Sequence, residues 1–296
     1  MPPPLFGVLF VPSGMCQGFV SVVLGYILSQ HGVGVAEIAA LVGLRLLPET
    51  WAFLAGPLVD SCLTSVRWCL IAIAGLVLCF VGFAFYPLQA GNSGLLGGLC
   101  LASGIMAVLS TSTASAVLAV TTTEAVRGAC AGWRQTGMLG GIGLGGGGAL
   151  WLATHASMRM AALASAALYL LCLLPFLLVK VPASRRGAGV TAAGHEALLA
   201  LWHLMRTRSG ILAAIAVTLP AGLGAAAYLM PAAAGDWHAS ADVVAMVTGA
   251  LSGRAGSSAM LLTEAALGIV SVALYALLVV LWRPPVMDPL PQPAMS

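Results

Sequence analysis

The stretch GPLVDSCLTSVRW at residues 56–68 is a short polar break between two long apolar runs. Outward from it, the chain alternates apolar segments of about 20 residues, the length that crosses a bilayer, with brief polar connections. Backbone polar groups in lipid must be bonded inside a helix or a closed barrel, and the alternation of barrel strands is absent, so the runs are predicted to be helices. Hydrophobic residues make up 60% of the chain and charged residues 7%, and mean hydropathy is +1.03. A soluble domain is roughly one-quarter charged. The expected fold class is therefore all-α, a polytopic protein whose main partner is the lipid bilayer.

Spans are predicted at 5–30, 38–59, 68–88, 94–120, 135–154, 160–180 and 210–233, with two shorter candidates at 239–253 and 258–281, giving eight or nine in all. Arg67, Arg127, Arg134, Lys180, Arg185, Arg186, Arg206, Arg208 and Arg254 border or occupy even-numbered connections, and only Arg159 sits in an odd one. Lys and Arg are retained on the cytoplasmic side, so the N-terminus and the even connections are expected there, in a cytoplasmic membrane. MPPPLFGVLFVPSG has no basic residue ahead of its apolar run, which predicts an uncleaved first span rather than a signal peptide.

Residues 181–209, a Gly/Ser/Arg stretch followed by an amphipathic helix, divide a six-helix part at 1–180 from a shorter part at 210–283 and a Pro-rich tail at 284–296. The second part echoes the first: VPSGM at 11–15 matches LPAGL at 219–223, and VAEIAALVGL at 35–44 matches ADVVAMVTGAL at 241–251, setting Glu37 against Asp242. Parallel repeats of this kind build carriers whose substrate site lies at the midplane between halves. The second half is short, with room for roughly three spans. An internal deletion joining the region near Gly253 to a final helix would explain it.

Several chemistries are set aside. The seven cysteines lie in or at the ends of apolar segments without zinc spacing and read as packing residues. A net charge of +3, with scattered basic residues, does not suggest nucleic acid. No nucleophile–base pair or metal cluster has a recognisable spacing, so neither enzyme activity nor a cofactor is expected. His31, His155, His195 and His203 have no ligand-spaced partner and read as interfacial or loop residues.

Gly56 and Asp60 supply the Gly and Asp of the major facilitator loop pattern GxxxDxxGRxGRR, and Arg67 fills a late basic position, while Leu63, Thr64 and Val66 replace its central Gly, a basic residue and its second Gly. The chain thus resembles the major facilitator superfamily. LRLLPETWAFLAGPLVD at 44–60 and RGACAGWRQTGMLGGIGLGGGGALWLA at 127–153 resemble its AmpG-like permeases, the group related to muropeptide and acetyl-CoA carriers. The resemblance implies a permease with Gly56, Asp60 and Arg67 at a cytoplasmic gate. It does not name a solute, because one carrier fold serves unrelated compounds.

Arg45 and Glu49 lie about 10 and 16 Å below the outer end of the second span at 1.5 Å per residue. A charge at that depth costs at least a few kcal/mol, so it must face a cavity or a partner. Their spacing lets them pair on one helix face. Pro48 between them removes a backbone donor, frees the carbonyl of Leu44 and predicts a kink. The pair reads either as a structural clamp on the second helix or as a site for solute or proton.

Gly137, Gly141 and Gly145 repeat along the fifth span as a small-residue face for another helix. A phosphate loop would need a following Lys and Ser/Thr after a strand. Gly14, Gly18, Ser21 and Gly25 form a similar stripe in the first span, beside Gln17 and Tyr26, and the fourth carries Ser103, Ser110, Thr111 and Thr113. In carriers of the resembled type the first, second and fourth helices line the central cavity. That implies Gln17, Tyr26, Arg45, Glu49 and Thr113 as cavity residues.

Two functions follow as expectations. One is a secondary carrier that moves a small polar or amphiphilic solute, proton-linked or facilitative, by alternating access. The other is a shortened, non-transporting membrane protein with a structural or assembly role, for which a homo-oligomer is the expected partner state.

Overall fold

The computed structural model describes residues 3–52, 55–56, 59, 64–86 and 93–174, with short pieces at 199, 202–203, 206–207 and 240–244. The chain divides into two compact units, Met1–Ala200 with Ala225–Gly256 and Leu201–Gly224 with Ser257–Ser296. The helices below all belong to the first. The spans expected at 210–233 and 258–281, the tail at 284–296 and the junction near Gly253 lie outside the described residues. So do most of 181–209 and of the span expected at 239–253, although 241–244 form one helical turn.

Among the described residues six longer helical segments follow in order: α1 (Pro3–Gln30), α2 (Val35–Leu46), α3 (Ser65–Phe85), α4 (Ser93–Thr121), α5, which starts as Arg127–Ile142 and ends as Ala149–His155, and α6 (Met158–Leu171). Among the described residues α1, α3 and most of α4 are individually long and apolar enough to cross a membrane. Each fills an apolar run of the sequence. Helix α5 begins at Arg127, ahead of the expected 135, because RGACAGWRQT is polar and largely exposed yet still helical. Hydropathy sees only its apolar continuation.

The ends are chemically marked. Thr64 caps α3 by accepting from the Arg67 N–H at 3.4 Å, and Ser157 caps α6 by accepting from the Met160 N–H at 3.1 Å. Helix α1 closes in a Schellman turn: Gly32 takes φ +75°, its N–H bonds to the Ser29 carbonyl, and the Val33 N–H reaches back to Leu28. The positive φ suits glycine, which has no Cβ to clash there.

Two helices contain π-helical stretches, Phe19–Leu24 in α1 and Gly143–Gly148 in α5, and the two stretches touch. Longer i→i+5 closure widens the helix locally and is uncommon outside single turns. Pro48 shapes α2 in another way. Past Leu46 that helix tightens into a 3₁₀ segment, Leu47–Trp51, with Pro48 in its first turn, where a missing N–H costs little.

Helix α1 is the centre of this unit. It packs on α4 and along α5, while α3 packs on α4 and α6, and α2 on α4. An aromatic cluster ties α1, α3 and α6 together: Phe19 lies 4.6 Å from Phe80 and 5.8 Å from Phe83, and Tyr169 meets Phe80 edge-on at 4.9 Å. Edge-to-face geometry of this kind sets ring hydrogens against a neighbour's π face.

Candidate functional site

Arg45 stands in the last turn of α2 and Glu49 in the 3₁₀ segment after it. Arg45 Nη1 donates to Glu49 Oε1 at 2.6 Å. The two ends of this ion pair live in different surroundings: the arginine side chain is 2% exposed and the glutamate 42%. Helix α4 closes over the arginine at Gly104, where a β-carbon would strike the Arg45 carbonyl oxygen and come within 3.2 Å of Pro48 Cγ. Gly104 therefore lets α4 touch the α2 backbone at the pair. No spacing rule singled it out in the sequence, although the Ser103–Gly104 step is a small-residue signal in an apolar helix.

On the α1 side, Cys16 is fully buried and points its thiol at the Ser103 carbonyl, 3.6 Å away. Its sulfur also lies beside the Arg45 guanidinium. Ser103 donates to the Cys100 carbonyl at 2.8 Å. Tyr169, fully buried on α6, packs edge-on against Phe80, which in turn meets Phe19, one turn along α1 from Cys16. The polar centre of this bundle is thus Arg45 with Cys16 and Ser103. Sequence reasoning had Arg45 but not Tyr169, whose hydroxyl sits in an otherwise apolar helix.

Gln17, Tyr26 and Thr113 are all buried within the packed helices. Tyr26 lies about 13 Å along α1 from Gln17, and Thr113 about the same distance along α4 from Gly104, at 1.5 Å per residue. The Thr113 hydroxyl donates to the Leu109 carbonyl of its own helix at 2.8 Å, and Ser21 bonds back to the Gln17 carbonyl at 2.5 Å. Such back-bonding satisfies a hydroxyl in lipid without a ligand. Of the five cavity residues implied by the resemblance, Arg45 and Glu49 are in direct contact, while Tyr26 and Thr113 stand well along their helices from that centre. A groove of about 390 Å³ between α2 and the start of α4, lined by Glu37, Leu41, Leu44, Gly94, Gly98 and Leu101 among others, includes none of the five.

For the gate, Gly56 is half-buried beside open space. Arg67 is exposed in the first turn of α3. Asp60 lies outside the described residues.

Gly137, Gly141 and Gly145 face α1. A β-carbon at each would run into the carbonyl oxygen of Gly7, Val11 and Met15 in turn. The contact is reciprocal, since β-carbons at Gly14 and Gly18 would strike the carbonyls of Met138 and Ile142. Close backbone approach through small residues is how helices associate tightly where lipid offers no hydrophobic drive.

At the helix ends, the His155 ring stacks on Trp151 at 4.8 Å and its Nε2 lies 3.7 Å from Asp242 Oδ1. His31 is exposed and bonds through Nδ1 to the Ile27 carbonyl.

No family model matches this chain, and no curated protein matches it. Among solved structures, the crystal structure of a D-xylose-proton symporter aligns with a TM-score of 0.55 at 16% identity, over 92% of this chain and 68% of that one. A likeness at that identity speaks for the fold. The chain is an all-α, multi-pass membrane protein that shares the fold of that symporter.

Proposed function

We propose that this chain is a secondary carrier that moves a small polar or amphiphilic solute across a membrane by alternating access. The observation that carries the reading is the Arg45–Glu49 ion pair, one end sealed and one end open, set inside a fold shared with a D-xylose-proton symporter. A cation buried at a break in a membrane helix is costly, and such residues default to a functional role.

In this reading Glu49 is the proton-handling group. Ionised, it holds the Arg45 guanidinium; protonated, it releases it, which biases α2 between two states. Gly56, Asp60 and Arg67 form the cytoplasmic gate, as the sequence resemblance to AmpG-like permeases implies. Gln17, Tyr26 and Thr113 belong to the solute path in states where the helices part. The protein resides in a cytoplasmic membrane with its N-terminus inside, as its basic residues favour.

The test is uptake by the purified chain in proteoliposomes under an imposed pH gradient, with D-xylose and small carboxylates among the solutes. Saturable uptake absent from empty vesicles is expected. Glu49→Gln should cut uptake roughly tenfold and flatten its pH dependence, the scale of losing one charge-assisted bond. Normal uptake and pH response in Glu49→Gln would leave Glu49 a structural partner of Arg45. If no solute were taken up, a non-transporting, self-assembling membrane protein would be the better account.

A further inference from the structure

Arg45 is fully buried, and its three nitrogens are unequally served. Nη1 is bonded to Glu49, whereas Nε and Nη2 are buried with no hydrogen-bond partner among the described residues. These two atoms form the side-on edge of the guanidinium. That edge takes two oxygens of a carboxylate or phosphate in parallel, a geometry lysine cannot reproduce.

Among the described residues no oxygen stands in hydrogen-bond geometry to these two atoms. Cys16 offers a sulfur, a weak acceptor, and its proton is already turned to the Ser103 carbonyl. The Ser103 hydroxyl is spent on Cys100. On α6, the Tyr169 hydroxyl is buried and likewise lacks a partner among the described residues. Two helices of the same packed unit therefore each carry buried donors that have no acceptor among the described residues. Leaving such donors unbonded costs folding free energy, most of all on a charged group.

We propose that this is an oxyanion site: a carboxylate or phosphate group of the carried solute bonds side-on to Arg45 Nε and Nη2 and accepts a third bond from the Tyr169 hydroxyl. Glu49 grips the opposite corner of the guanidinium and fixes the orientation of the free edge. Entry requires the helices around Arg45 to part, which alternating access supplies. The inference deepens the carrier reading by giving the solute's chemical class, and it rests on that reading only for the step from binding to carriage.

The experiment is thermal unfolding of the full chain in detergent at constant ionic strength, titrated separately with sodium acetate, sodium phosphate, sodium chloride and D-xylose. Acetate or phosphate should raise the midpoint saturably, as a ligand of the native state does, and chloride and D-xylose should not. Arg45→Lys keeps the charge but loses the fork, and should weaken oxyanion binding roughly 10- to 100-fold; Tyr169→Phe keeps the ring and should weaken it roughly 3- to 10-fold. No saturable oxyanion effect on the unsubstituted chain, or equal affinity in Arg45→Lys, would overturn the site. Where Arg45→Lys does not fold, Tyr169→Phe decides, and unchanged affinity there overturns it. Oxyanion binding without vesicle uptake would remove the carrier reading and leave the site standing. Uptake of D-xylose with no oxyanion effect would do the reverse.

Discussion

Helices α1 and α3 are both long apolar spans, but they meet their neighbours in opposite ways. In the most apolar stretch of α1, 89% of residues are buried, against 44% for α3, although α3 is the more apolar of the two. The reason lies in the solvent. A helix facing lipid is rewarded for large aliphatic side chains, whereas a helix surrounded by other helices is rewarded for small residues that let backbones close up. Hydropathy alone would put the wrong helix at the centre.

The interfaces differ accordingly. Between α1 and α5, a β-carbon at a stripe glycine would strike main-chain atoms, which cannot move without shifting a helix. Between α3 and α4, a β-carbon at Gly82 would meet the tip of Leu99, and one at Gly75 the thioether of Met106. Those side-chain ends can turn aside. The same residue type therefore carries different weight in the two places.

The largest expected effect is at the backbone contact. Gly137→Ala and Gly145→Ala should each destabilise the protein by about 1–3 kcal/mol through overpacking. Together they should prevent recovery of a folded monomer, as read by thermal melting in detergent and by size-exclusion profile. A double variant that melts normally would mean that α1 and α5 are not held by backbone contact. At the side-chain interface, Gly82→Ala should cost less than about 1 kcal/mol, because the intrinsic helix gain of Ala over Gly, about 1 kcal/mol, offsets the displacement of Leu99. A loss as large as at Gly145 would erase the contrast between the two interfaces. The smallest effect is expected within α5 itself. Gly140 adjoins Gly141 in sequence but points into open space, so Gly140→Ala should be neutral or raise stability by up to about 1 kcal/mol. A fall in melting temperature at Gly140 would mean that this face is covered by something in the membrane.

Much of this was legible because the physics is local. The apolar runs expected at 5–30, 68–88 and 94–120 mark helices long enough to cross a bilayer, since outside a closed barrel no other backbone arrangement survives in lipid. The spacing of Arg45 and Glu49 forecasts their contact, because a helix sets such residues on one face. The repeat of Gly137, Gly141 and Gly145 marks a close-packed face for the same reason.

Other features needed distant parts of the chain. That Arg45 is sealed while Glu49 is open depends on other helices, with Gly104 of α4 closing on the Arg45 backbone and Cys16 of α1 lying beside its guanidinium. The partner of the α5 stripe, and the touching π-helical stretches of α1 and α5, likewise exist only once those helices are side by side. Among the described residues, sequence by itself determined which segments are helical and which residues share a helix face, because helical bonding and lipid solvation act over one segment at a time. Only the tertiary structure decided which face is buried, against what, and which polar atoms lack partners among the described residues, because burial and hydrogen-bond satisfaction belong to the packed set of helices and not to any one of them.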